Sequence, residues 1–396
     1  MLRPSTSIPL REHGPLWRDP HVRALFLQSL LLLLTVGFVI VLVNNALANL
    51  AARGIATGFA YLGQRSGFGI PQALINYTAD STYGDAFYAG LMNTLLVSAL
   101  AIVTCTLCGL LIGVARLSSN WLLARCAALY IELFRNVPML LQLLFWSAIV
   151  LAGLPALKQS YSLWGVAYLN KKGLVLPWYE ASASVWPIAV ALLLGAVAAL
   201  IVRHISLYRV RRGRLGLPLR WLIPPLIAVP PAVTYGLSNI HVALSLPTLT
   251  AFSSKGGLHL IPELVVLWLT LTLYASAFVA EAVRSGIAAV PKEQHEAASS
   301  LCLPSRLSMR KIVLPQAMRV IVPQLASQYL NVIKNSSLGI AIGYPDLFSV
   351  YGITTLNQTG QALEVMITTL AVYLALSLAV SLLMNVLNAR MALKER

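Results

Sequence analysis

Charge is what this 396-residue sequence has least of: 11% of its residues are charged, and Asp and Glu together number only 13. A soluble domain carries about a quarter charged residues, so a water-exposed surface for a chain of this size cannot be assembled. Hydrophobic residues make up 58% of the chain and mean hydropathy is +0.76. The scarcity of acids leaves 29 Lys and Arg as a net charge of +16. Such a balance suits nucleic acid only when the basic residues form one face of a soluble domain. Here the partner is the lipid bilayer, and no nucleic acid is expected. Histidine is scarce too, and none of His13, His21, His204, His241, His259 and His295 stands in a metal-ligand spacing such as H-E-x-x-H. No metal site and no catalytic residue is identified. No Gly-Lys dipeptide occurs, so the chain lacks the loop that cradles nucleotide phosphates.

Cysteine adds little. Cys105 and Cys108 share a C-x-x-C spacing, but their flanks AIVTCTLCGLLIG read as membrane helix, where Cys behaves as a small apolar residue. Cys126 begins another apolar run and Cys302 lies in a polar loop, so no disulfide framework is implied.

What the chain does have is long apolar runs. A bilayer core needs about 20 apolar residues per helix, and eight candidates occur, at 24–45, 87–114, 129–153, 186–202, 219–237, 260–282, 320–343 and 362–388. Ala46-Leu47-Ala48 imitates a signal cleavage site, yet the charge-free run from Ala24 to Val43 exceeds a signal core of about 7–15 residues. The first span therefore reads as an uncleaved anchor. The fifth carries Pro224, Pro225, Pro230 and Pro231, which neighbours must accommodate.

Placing the N-terminus in the cytoplasm puts 21 Lys and Arg in the segments 1–23, 116–125, 203–220, 284–319 and 390–396, against six on the other side. That asymmetry is the positive-inside signature. The Arg203 to Arg220 block reads as an orientation determinant resting on anionic headgroups. By layout, 1–86 is an extension with one helix and an external loop. Segments 87–154 and 260–390 form a five-helix core, 155–259 is an insert with two weaker spans, and 391–396 is a cytoplasmic tail.

Between the sixth and seventh spans, residues 283–319 form a cytoplasmic connection too long to lack a purpose. Gln294 to Leu301 reads as a helix stopped by Pro304, and Ser305 to Leu314 as a second one ending at Pro315. Small Ala side chains at contact positions would let another protein's groove come close, with Glu296 for orientation.

Glu296-Ala297-Ala298, then Cys302, then Ile312, Leu314 and Pro315 resemble the EAA loop of ABC-importer permeases, with every spacing matched. Two departures occur. Cys302 replaces the usual Gly, at a turn that can require φ > 0, and Glu293-Gln294 replaces Gly-Gln. The segment from Tyr130 to Gln142 and Ile333-Lys334-Asn335-Ser336-Ser337-Leu338 are similar to stretches of the polar amino-acid uptake permeases, and Gly90 to Leu95 more loosely so. Length and layout resemble the longer general L-amino-acid permease type.

The resemblance implies an all-α, multi-pass protein of the bacterial inner membrane: a type I importer permease core with an N-terminal helix and a mid-chain insert. It implies no enzymatic activity and no cofactor on this chain. ATP and Mg would belong to a separate ATPase, expected in two copies. Further partners would be a second permease (a paralogue or a copy) and a periplasmic amino-acid-binding protein. The polar cluster Lys334, Asn335, Ser336 and Ser337 is either a substrate contact or a helix break satisfied by its own side chains. Glu132 and Arg135, three apart on one helix, are expected to pair. A secondary transporter driven by an ion gradient is the alternative. It would be expected to carry acids deep in its spans, and none of the 13 acids lies deep in one.

Overall fold

The computed structural model describes residues 20–52, 54, 57–181, 186–238, 242–249 and 254–391. Residues 1–19 of the N-terminal segment and 392–396 of the tail lie outside them.

Apolar runs become helices because lipid offers the backbone no hydrogen-bond partner. The chain forms α1 (Pro20–Ala52), α2 (Tyr83–Arg116), α3 (Trp121–Asn136) and α4 (Met139–Gly153). The insert supplies α5 (Trp186–Arg211) and α6 (Leu219–Leu237), and then come α7 (Pro262–Ala288), α8 (Lys292–Ser300), α9 (Ser305–Ser308) and α10 (Leu314–Asn335). Helices α11 (Leu356–Thr359) and α12 (Ala362–Met391) complete the set. Five of them, α1, α2, α5, α7 and α12, are long and apolar enough to cross a bilayer by themselves. The expected fifth and seventh spans are helical but less apolar. Four prolines dilute α6, and α10 carries a polar face with Gln316, Arg319, Gln324, Gln328 and Asn331.

The expected single span 129–153 is corrected. It is a bent pair, α3 and α4, meeting at 106°. Pro138 is the cause: it lacks an N–H and forces the preceding residue out of the helical region, and Val137 has φ −96 and ψ 128. The carbonyl of Phe134, left without its usual donor, accepts instead from Gln142 Nε2 at 2.9 Å, as does that of Val137 at 2.8 Å.

Helix α7 is the axis of the bundle, lying against α2, α3, α4 and α10. Its approach to α2 depends on Gly109 and Gly113, one turn apart. A Cβ on Gly109 would lie 2.5 Å from Val279 Cβ, and one on Gly113 2.8 Å from Val283 Cβ. Small residues at this spacing let helices close in membranes, where apolar burial supplies little drive. Hydroxyls tie α2 to α7 (Thr104 to Thr272 at 2.7 Å), α2 to α10 (Thr106 to Tyr329 at 2.8 Å) and α3 to α7 (Tyr130 to Ser276 at 2.7 Å). Helix α1, by contrast, buries none of its apolar window within this chain.

At one end of the bundle the connections gain structure that composition did not announce. The insert contains short strands: β1 (Tyr161–Leu163), β2 (Ala167–Asn170), β3 (Gly173–Leu176), β4 (Trp178–Ala181), β5 (Val242–Ser245), β6 (Thr248–Leu249), β7 (Ser254–Lys255) and β8 (Leu258–Leu260). Four of them form an antiparallel sheet in the order β1-β2-β3-β8, and β8 leads directly into α7. The stretch 57–82 docks at this end as well. Gly58 N donates to Glu364 Oε1 at 2.6 Å, and the Tyr61 and Tyr351 hydroxyls share a hydrogen bond. Asn93 Nδ2 donates to the carbonyls of Gln72 at 2.7 Å and Pro345 at 2.9 Å. The opposite end carries α8 and α9.

Candidate functional site

Pro291 precedes α8 and Pro304 follows it, so the helix is short by construction. Its C-terminus closes in a Schellman arrangement. Cys302 N donates to Ser299 O at 2.9 Å, and Leu303 N to Ala298 O at 3.1 Å. That geometry places its pivot residue in the left-handed region, which glycine adopts without steric cost. Cys302 occupies it with φ 51. The tight turn is kept despite the side chain, and Leu301 projects beside it at 72% exposure.

The expected alanine contact face divides. Glu296 and Ala297 are exposed, whereas Ala298 is buried within the chain at 2%. Ala298 therefore seats α8 against the following helical segment, and Glu296, Ala297 and Leu301 form the outward surface.

The expected stop at Pro315 is corrected. The helix that begins at Ser305 runs through Pro315 into α10, because the turn Met309–Val313 is π-helical. Leu314 N reaches back to Met309 O, and this wider turn takes up a proline that has no N–H of its own. Ile312 is half-buried, and Leu314 and Pro315 are exposed. α8, α9 and the π turn thus make a small rigid knob attached end-on to a transmembrane rod.

At the far end of that rod, α10 tightens into a 3₁₀ turn over Ser336–Ile342. Ser336 is fully buried, and its hydroxyl donates to Ile333 O at 2.8 Å; that of Ser337 donates to Lys334 O at 2.7 Å. Both hydroxyls are turned onto their own helix. Asn335 is half-buried, while Lys334 and Ser337 line a cavity of about 270 Å³ together with Phe348, Met366, Thr369 and Tyr373. Beside it, Asp346 is wholly buried, accepting from Ser349 N at 2.8 Å and Tyr373 OH at 3.0 Å. Burial pushes its carboxyl up to about 6. Nothing in the spacing of the sequence marked this acid, which lies in a connection between spans.

The expected Glu132–Arg135 pair is not formed. Arg135 lies over the Phe278 ring, 5.3 Å from its centre. The ion pair in this region joins Arg284 to Glu281 by two hydrogen bonds of 2.6 and 2.9 Å. Arg135 thus takes the aromatic face that α7 presents, while the i,i+3 pair that does form lies within α7, held by a two-pronged carboxylate.

A family model described as "Binding-protein-dependent transport system inner membrane component" matches residues 191–393. The chain is 46% identical over 384 residues to a putative amino-acid ABC transporter permease protein, YhdX, of Escherichia coli, covering 96% of each. It is 42% identical over 392 residues to the general L-amino acid transport system permease protein AapQ of Rhizobium johnstonii, covering 97% of each. A glutamate/glutamine/aspartate/asparagine transport system permease protein, BztB, of Rhodobacter capsulatus is 39% identical over 412 residues, with 96% of each covered.

Proposed function

The chain belongs to the inner-membrane components of binding-protein-dependent transport systems, and from that premise we propose that it is the permease subunit of an ATP-driven importer of L-amino acids. The observation that carries the reading is the knob: Glu296, Ala297 and Leu301 point outward from a short helix whose own packing is already satisfied by Ala298. Such a surface suits the groove of a second protein. With the N-terminus in the cytoplasm, as the 21-to-six distribution of basic residues indicates, the knob faces the compartment that holds ATP.

ATP and Mg belong to that second protein, an ATPase present in two copies. A second permease completes the path, and a periplasmic binding protein delivers the substrate. Closure of the ATPases pulls the knob, and α10 transmits the displacement because its helix is continuous from Ser305 to Asn335. Alternating access then follows from contacts that differ between the two states. The relatives' names cover acidic, amide and general L-amino acids, so the substrate class is polar or broad. Lys334, Asn335 and Ser337 are the substrate-side candidates, and Ser336 supports them from within the helix.

The test is uptake of labelled amino acid into vesicles containing the complex. Uptake should need ATP and the ATPase subunit. Glu296→Lys and Ala297→Asp should each lower it at least about tenfold while the chain stays in the membrane. Undiminished uptake together with normal copurification of the ATPase would remove the knob from the mechanism. Uptake indifferent to ATP would remove the importer reading itself.

A further inference from the structure

Where α2, α3 and α7 meet near the knob end, a polar cavity of about 330 Å³ is lined by Arg116, Glu132, Arg135, Glu281 and Arg284. Two of these five charges neutralise each other, since Glu281 and Arg284 are joined by two short hydrogen bonds. The other three have no ion-pair partner among the described residues. Arg116 closes the last turn of α2, and Arg135 is held by the Phe278 face. Glu132 sits one helical turn before Arg135 and leaves it unpaired. The cavity therefore offers the guanidinium groups of Arg116 and Arg135, both within electrostatic reach of Glu281, and the carboxylate of Glu132.

Glu132 and Arg135 are exposed rather than sealed in lipid, so a solute or headgroup can reach them, and the complement of this set is a small molecule with an anionic group and an ammonium group a few ångströms apart. We propose that this cavity is a binding site for such a zwitterion, with Arg116 and Arg135 taking the anion and Glu132 the ammonium. Two sources carry that chemistry: a free α-amino acid in the cytoplasm, or the phosphoethanolamine headgroup of a lipid. The inference rests on the importer reading for its orientation. A ligand here would tie α2, α3 and α7 together and so favour one arrangement of the bundle over the other. Amino acid accumulated inside would then slow its own uptake.

The test uses the complete complex reconstituted with ATP inside, in vesicles of phosphatidylcholine and phosphatidylglycerol, with and without phosphatidylethanolamine. Initial uptake of labelled L-glutamine is measured against internal L-glutamine, against glutaramate (its deaminated analogue) and against 4-aminobutanamide (its decarboxylated analogue). Internal L-glutamine should inhibit, and both analogues, each missing one charge, should need at least about tenfold more. Glu132→Gln and Arg116→Gln should raise the half-inhibitory concentration at least about tenfold, each measured against that variant's own uninhibited rate. The uninhibited, ATP-dependent rate certifies that a variant is folded, and its loss in the wild type would count against the importer reading rather than the site.

If L-glutamine does not inhibit, but phosphatidylethanolamine changes the rate of the wild type and not of Glu132→Gln, the headgroup is the occupant. If neither internal zwitterion nor lipid distinguishes the wild type from both variants, the site is overturned.

Discussion

Cys302 and Gln142 each solve a problem that a neighbouring residue creates. Pro304 and the short α8 demand a left-handed pivot, and Cys302 supplies it with φ 51 against its own Cβ. Replacing it by Gly should stabilise the knob by about 1 kcal/mol. Amide exchange at Cys302 and Leu303 should slow about fivefold, since those N–H groups open with the turn. A Val at the same position should do the opposite.

Gln142 substitutes for the N–H that Pro138 lacks, holding two carbonyls at the elbow. Gln142→Leu should cost about 1–2 kcal/mol, because two part-buried acceptors lose their donor. The check is a lowered unfolding midpoint in detergent. An unchanged midpoint would mean that water reaches those carbonyls.

Among the elements, the pair α2 and α7 shows how small residues govern the bundle. A side chain at Gly109 meets Val279 and the carbonyl of Ser276, 2.5 and 2.9 Å from the added Cβ. Gly109→Val should force the helices apart and cost about 2 kcal/mol or more. Crosslinking between cysteines placed on facing positions of α2 and α7 would report the separation. Gly109 and Gly113 form a GxxxG pattern that the sequence already displays, so this contact was open to inspection. The pattern names a close-packed face without naming the helix that fills it. The elbow was partly legible as well. Pro138 lies within the apolar run 129–153, but hydrophobicity is blind to direction and merges two helices at 106° into one span. The Glu132–Arg135 pairing failed for a related reason: spacing on one helix says nothing about the aromatic ring that another helix brings.

For the whole molecule, Asp346 couples stability to pH. Its carboxyl titrates near 6 when buried, against an ordinary value of 3.8. The folded chain therefore binds this proton more tightly than the unfolded one, and stability falls as pH rises from about 4 to about 6. The span corresponds to ~3 kcal/mol, absent above pH 6 and present below pH 4. Asp346→Asn should flatten that part of the profile. The measurement is the difference in unfolding midpoint between wild type and variant at pH 5 and pH 8. If the two lose stability in parallel across that interval, the acid is not the cause.

Composition, run length and the placement of basic residues were enough to establish a multi-pass helical membrane chain. The spacing of Glu296 to Pro315 was enough to identify its family, because motif spacing and apolar length are properties of the chain itself. What only the tertiary structure decided is which atoms of those segments remain available. Ala298 turns inward while Ala297 turns outward, Ser336 closes on its own helix while Lys334 and Ser337 reach a cavity, and Glu132 has no ion-pair partner among the described residues. These outcomes depend on which helices pack side by side, and packing among residues far apart in sequence leaves no mark on local periodicity.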